Sequence, residues 1–155
     1  MLTHRFSWKR LSLAGGLAFH SRRRTARVYL HTHPGAYTDE VLIEFLRDLG
    51  DEMAGDKVTL LWDGLGSHWS RRMRRFVATQ RRWLVVERLP AYAPELNPVE
   101  GLWASLKSRD LANHCCDTID QMADATVQGI DRIGRTPDLV FSFLRKARLE
   151  LYGCH

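Results

Sequence analysis

The sequence predicts one α/β domain in which a mixed sheet is flanked by helices, and three observations carry that reading. Short apolar runs of β-forming residues stand at Leu11–Phe19, 27–32, Val58–Trp62 and 84–89. From residue 38 onward, longer stretches with apolar residues at helical spacing alternate with them. The 155 residues suit one domain with a buried core, and no repeat, low-complexity tract or linker divides them.

Residues 1–10 are polar and aromatic without a period and read as an extended lead-in. LSLAGGLAF is too short and too rich in glycine for a good helix, so it reads as a strand. Residues 21–25 hold Arg22, Arg23 and Arg24 in a solvated turn, and RVYLHT returns as the antiparallel partner. Thr38 caps a helix that runs to about Met53, with Val41, Leu42, Phe45, Leu46 and Leu49 on its apolar face. Gly55 and Asp56 turn the chain into Val58–Trp62. A strand, helix and strand in that order predict a crossover to a parallel neighbour. Residues 69–80 read as a basic helix and 84–89 as a buried last strand. Two closing helices are predicted over 118–133 and 137–151. The first has a Thr118–Gln121 capping spacing and a stripe of Ile119, Met122, Ala123, Thr126 and Ile130; the second has Val140, Phe141, Leu144 and Leu149.

Lys and Arg number 23 against 18 Asp and Glu, a balance that suits a polyanionic partner. Three cysteines, with Cys115 and Cys116 adjacent and Cys154 near the end, make no convincing disulfide framework and suggest a reducing compartment. His114 and His155 flank them, but no second ligand pair supports zinc. With no long apolar segment or signal peptide in view, the expected location is the cytosol, alongside the nucleoid, with no membrane partner.

The chemistry centres on two acids. VTLLW reaches Asp63 where Gly64 and Gly66 break the strand, and open α/β sheets place their sites at such strand ends. Pro90, Pro94 and Pro98 keep the approach to Glu100 extended, Asn97 is a capping residue and Pro98 suits the first helical position. Glu100 then falls in the first turn of a helix continuing through Leu102, Trp103 and Leu106. A carboxylate on a strand end and another on a helix start can bring two oxygen ligands to one hard cation such as Mg²⁺. Each acid alone also reads as a turn acid or a helix N-terminal acid.

LLWDGLGSH followed by LPAYAPELNPVEGLWASLK resembles the DDE-endonuclease transposases of bacterial insertion sequences, in the mariner-like superfamily. In that pattern Asp63 matches the second acid, His68 the nearby histidine, Tyr92, Pro94, Asn97 and Pro98 the approach, and Glu100 the third acid. The resemblance extends over nearly the whole chain, including WKRLSLAGGLAF, GAYTDEVLIEFLRDL and ANHCCDTID. It implies a ribonuclease-H-like fold and metal-dependent cleavage and transfer of DNA strands, with Asp63 and Glu100 as metal ligands.

The resemblance also implies a first acid on an opening strand upstream of the position matched by Trp8, and a DNA-binding segment before it. The expectation is therefore residues 1–155 as a partial catalytic domain whose opening strand is missing, binding at most one Mg²⁺ or Mn²⁺ weakly and inactive alone. His68 would touch substrate phosphate or assist proton movement, or be a plain surface histidine. Arg71, Arg72, Arg74, Arg75, Arg81 and Arg82 would meet DNA phosphates. Tyr92 and Trp103 would be core or wall residues. An edge left open by the missing strand predicts poor solubility or self-association, so that a homo-oligomer is one expected form. A non-catalytic DNA-binding or subunit-interaction module, or a nuclease of the same fold acting without transposition, are the alternatives.

Overall fold

The structure is a computed structural model and describes residues 11–112 and 114–151. The expected lead-in over 1–10, Trp8 included, and the Cys154–His155 pair lie outside the described residues. Contacts divide the chain into two compact units, one of Met1–Ala36 with Pro98–His155 and one of Tyr37–Asn97.

In the first unit, β1 (Leu11–Phe19) and β2 (Ala26–Pro34) form an antiparallel hairpin, in register from Leu11 opposite Pro34 to Phe19 opposite Ala26. The arginine turn between them is not wholly solvated. Arg24 donates to Asp138 at 2.7 Å and lies over the Phe141 ring, 5.5 Å from its centre, so an apolar and an acidic partner hold it. Pro98 opens α3 (Pro98–Ser105), which passes into a π-helical turn over Leu106–Leu111; α4 (Ile119–Gly134) and α5 (Pro137–Lys146) follow. Leu102, Leu106, Ile133, Val140 and Phe143 form the buried core, with Leu17, Phe19 and Val28 of the hairpin packed against it. Each such fully buried side chain contributes roughly 1.5–3 kcal/mol.

The capping spacing at Thr118 is realised. Its side chain accepts from Gln121 N at 3.2 Å while Gln121 Oε1 accepts from Asp117 N at 2.8 Å. The apolar stripe of α4 is rotated from the predicted one: Ala125, Thr126, Gly129 and Ile133 are buried and Met122 is exposed. Small residues win the inner face because the π-helical turn approaches closely there. Arg148, at φ 57°, follows the end of α5, so the second closing helix stops short of residue 151.

In the second unit, α1 (Asp39–Glu52) is capped by Thr38 and buries Leu42, Ile43, Leu46 and Leu49, adding Ile43 to the predicted face. Gly55, at φ 92°, makes the turn into β3 (Val58–Trp62). A 3₁₀ turn over Gly66–Trp69 comes before α2 (Arg71–Thr79), which is therefore shorter than the predicted 69–80 helix. Ser70 sets its start, accepting from Met73 N at 3.0 Å and donating to Asp39 Oδ2 at 2.8 Å. β4 (Leu84–Arg88) lies parallel to β3, from Val58 opposite Leu84 to Trp62 opposite Arg88.

Among the described residues the strands pair as two two-stranded sheets, not as one mixed sheet. The parallel neighbour of β3 is β4, reached through α2, rather than β2 reached through α1. β4 is also less buried than predicted: Leu84 is inside, but Val85 is exposed. No helix among the described residues is long and apolar enough to cross a membrane.

Candidate active site

Asp63 follows β3 directly, and its surroundings come from the next six residues. The carboxylate side chain is 54% exposed, and its Oδ1 accepts from Leu65 N at 3.0 Å, an Asx-type turn that starts the bend away from the strand. His68, on the 3₁₀ turn, places Nδ1 2.8 Å from the same Oδ1 and 3.4 Å from the Asp63 carbonyl oxygen. Trp69 Nε1 donates to that carbonyl at 2.8 Å. Two side chains thus close the loop back onto the residue that began it.

His68 is not the surface histidine that a glycine turn suggests. It is 8% exposed and stacked on Trp62, with ring centres 4.0 Å apart and planes at 27°. Burial holds its pKa below the ordinary 6.5, against the opposing pull of the Asp63 charge and of hydrogen bonds to Asp63. At neutral pH the ring is neutral. Both groups facing Nδ1 are acceptors, which assigns the proton to Nδ1 and leaves Nε2 without one. Sequence reasoning missed Trp62 as the platform beneath His68, and Arg88, whose guanidinium lies over Trp69 5.4 Å from the ring centre. The aromatic residues on either side of Asp-Gly-Leu-Gly-Ser-His were the available signal.

Tyr92 departs furthest from expectation. It is 103% exposed relative to an extended reference and sits at φ 58°, in the left-handed region, so it is neither core nor wall. Pro90 before it and Pro94 after it constrain the surrounding chain. The 3₁₀ turn Pro94–Leu96 then leads to Pro98.

Glu100 is the third residue of α3 and is exposed, close to the positive end of the helix. α3 is positioned by its other face. Leu102 and Leu106 are 0% and 1% exposed in the core, and the absent side chain of Gly101 lets Phe143 approach. A Cβ at Gly101 would lie 2.7 Å from Phe143 Cδ1. Asp63 and Glu100 belong to different units, and each has its geometry set within its own.

Arg71, Arg72, Arg74, Arg75, Arg81 and Arg82 are all exposed. Arg72 is already committed to Glu40, which leaves the other five to make the basic surface of α2 and the turn after it. Arg74 and Arg81 also border an apolar groove of about 430 Å³ between α2 and β4.

The carboxylate of Asp63 suits a hard cation because it is half exposed and its Oδ2 has no protein partner among the described residues. Glu100 offers a second exposed carboxylate. No group of three or more His, Cys, Asp or Glu side chains arranged to hold a metal occurs among the described residues, and Cys115 and Cys116 are free thiols.

A half-exposed acid at a strand end, with a buried histidine against it, shares its unit with a basic helix. The chain belongs to the DDE superfamily endonuclease family, whose profile matches residues 3–123. Endonuclease chemistry is the function that follows from this membership. Among solved structures it is similar to the Mos1 transposase catalytic domain with raltegravir and Mn, at 18% identity and a TM-score of 0.51, over 90% of this chain and 85% of that one. The same domain with raltegravir and Mg gives 18% identity and a TM-score of 0.50, over 90% and 86%. These likenesses agree with the mixed α/β class expected from the sequence. No curated protein matches the chain.

Proposed function

We propose that residues 1–155 are part of a transposase catalytic domain that handles DNA ends, with Asp63 and Glu100 as its ligands for Mg²⁺ or Mn²⁺. The observation that carries this reading is the Asp63 carboxylate, held at a strand end by His68 and Leu65 with Oδ2 left unengaged. A divalent cation there supplies charge stabilisation at the scissile phosphate and lowers the pKa of water. The chain's own residues hold the carboxylate in place through His68, which is itself stacked on Trp62, and attract phosphate through Arg71, Arg74, Arg75, Arg81 and Arg82.

The isolated chain binds DNA but does not cut it, because phosphodiester cleavage of this kind stabilises both the entering and the leaving oxygen, with two ions about 3.5–4 Å apart. Two acids are too few to hold that pair. The acids of α1 do not make up the deficit: Asp39 is taken up by Ser70, and Asp48 and Asp51 lie along the exposed face of the helix. A second reading, a non-catalytic DNA-binding module, draws support from the exposed arginines alone.

The test combines the purified chain with duplexes carrying the element's terminal repeats. Binding is measured against salt, and cleavage in Mg²⁺ and in Mn²⁺, with Asp63→Ala and Glu100→Ala as controls. Expected are salt-sensitive binding, a slope reduced by about one for each phosphate-contacting arginine replaced, and no cleavage. Cleavage abolished by both substitutions would overturn the inactivity, and no binding at low salt would overturn the DNA reading.

A further inference from the structure

We propose that His68 is a positioning residue for Asp63, selecting Oδ2 as the single carboxylate oxygen presented to a divalent cation. The proposal rests on the reading of Asp63 as a metal ligand and adds how that ligand is aimed.

A carboxylate at a strand end turns about its last side-chain torsion with little resistance, so either oxygen can face outward. Here both nearby nitrogens fall on one oxygen. Leu65 N at 3.0 Å and His68 Nδ1 at 2.8 Å reach Oδ1, and nothing among the described residues reaches Oδ2. The backbone donor alone would leave the acid free to swing with the loop, whereas the imidazole ties it to the body of the unit. That ring has little freedom of its own: it is buried, stacked on Trp62 at 4.0 Å, and Nδ1 also faces the Asp63 carbonyl. Trp69 Nε1 holds the same carbonyl at 2.8 Å, so the backbone of Asp63 is fixed from a second direction.

The arrangement follows a common logic of metal sites, in which a neighbouring group orients the ligand and raises its affinity. It usually runs from carboxylate to histidine to metal. Here the order is reversed, with histidine bracing the carboxylate. The consequence is one-oxygen coordination by Asp63, because Oδ1 already accepts from Leu65 N and lies against His68 Nδ1.

Two measurements on the full chain decide it. Long-range ¹H–¹⁵N correlation spectra report the tautomer of His68 without any metal, and the expected form is protonated at Nδ1 and bare at Nε2. A predominantly Nε2–H ring would overturn the proposal while leaving the metal-ligand reading untouched. The second measurement is Mn²⁺ affinity from the loss of the free-ion paramagnetic resonance signal, for the wild type, Asp63→Asn, His68→Phe and His68→Gln. His68→Phe keeps an aromatic ring over Trp62 and removes the donor; His68→Gln restores a donor. Asp63→Asn should remove most of the binding, His68→Phe should weaken it about tenfold or more, and His68→Gln should recover part of the loss. Circular dichroism checks that each variant is folded, and the tautomer measurement stands if His68→Phe is not. If Asp63→Asn weakens binding and folded His68→Phe does not, the positioning role is wrong and the ligand reading survives. If Asp63→Asn has no effect, or the wild type binds no Mn²⁺, both fall together.

Discussion

Adding one methyl group to α4 at Gly129 should destabilise the protein, although the same change five residues later should not. A Cβ at Gly129 would lie 2.5 Å from Leu106 Cδ2, 2.7 Å from Asp110 Cγ and 2.8 Å from Asp110 Oδ2. Neither neighbour yields cheaply. Leu106 is 1% exposed in the core cluster, and Asp110 accepts two hydrogen bonds from Arg132, at 3.0 Å and 2.7 Å. Overpacking of this kind costs about 1–3 kcal/mol, and pushing Asp110 off the half-buried Arg132 adds to it. Alanine's better helix propensity returns about 1 kcal/mol. The net expectation for Gly129→Ala is a loss of about 1–3 kcal/mol, or roughly 2–12 °C in melting temperature for a chain of this size. At Gly134, the last residue of the same helix, a Cβ meets nothing within 4 Å, so Gly134→Ala should gain up to about 1 kcal/mol. Urea denaturation of both variants beside the wild type measures the difference. Equal midpoints for Gly129→Ala and wild type would mean that α4 does not pack against the π-helical turn as closely as described.

Two further outcomes are expected. Because burial lowers the His68 pKa, its contribution to stability is present above the ordinary histidine value and is lost as pH falls through the lower folded value. Urea midpoints between neutral pH and pH 5 should therefore fall more steeply for the wild type than for His68→Phe, and parallel curves would contradict the assignment. Tyr92→Gly should raise stability by up to about 1 kcal/mol, since the ring is fully exposed and the backbone lies at φ 58°. Tyr92→Val should lower it by a similar amount, and calorimetry showing the reverse order would refute the strain argument.

Element ends were legible wherever a local breaker stood. Leu11–Phe19 ends, and Val58–Trp62 begins and ends, where the sequence says, because arginine- or glycine-rich turns close them. The start of α2 was not, since Ser70 and Trp69 are both reasonable openings, and the Ser70 hydroxyl, accepting from Met73 N and donating to Asp39, decides between them. Strand pairing was less legible still. Alternation within β3 names its two faces but not its neighbour, and the choice of β4 depends on where α2 returns the chain. Hydropathy also misplaced the inner face of α4: Gly129 and Ala125 carry little hydrophobic signal, yet close approach demands small residues. The identity of Asp63 as a site residue was readable from strand and glycine. The burial of His68 was not, because it requires a tryptophan from the preceding strand to lie beneath a residue that pattern places in an open turn.

The two acids are held in different ways, which bears on how such a site tolerates change. Among the described residues the polar contacts of Asp63 come from Leu65, His68 and Trp69, so its geometry is written within a few residues and survives alteration elsewhere as long as that loop and Trp62 remain. Among the described residues Glu100 has no comparable local brace. Its helix is located by Leu102 and Leu106 in the core and by Phe143 against Gly101, contacts that join it to residues more than forty positions away in sequence. A change in α5 can therefore shift Glu100 without touching its own neighbours, whereas Asp63 answers chiefly to its own loop.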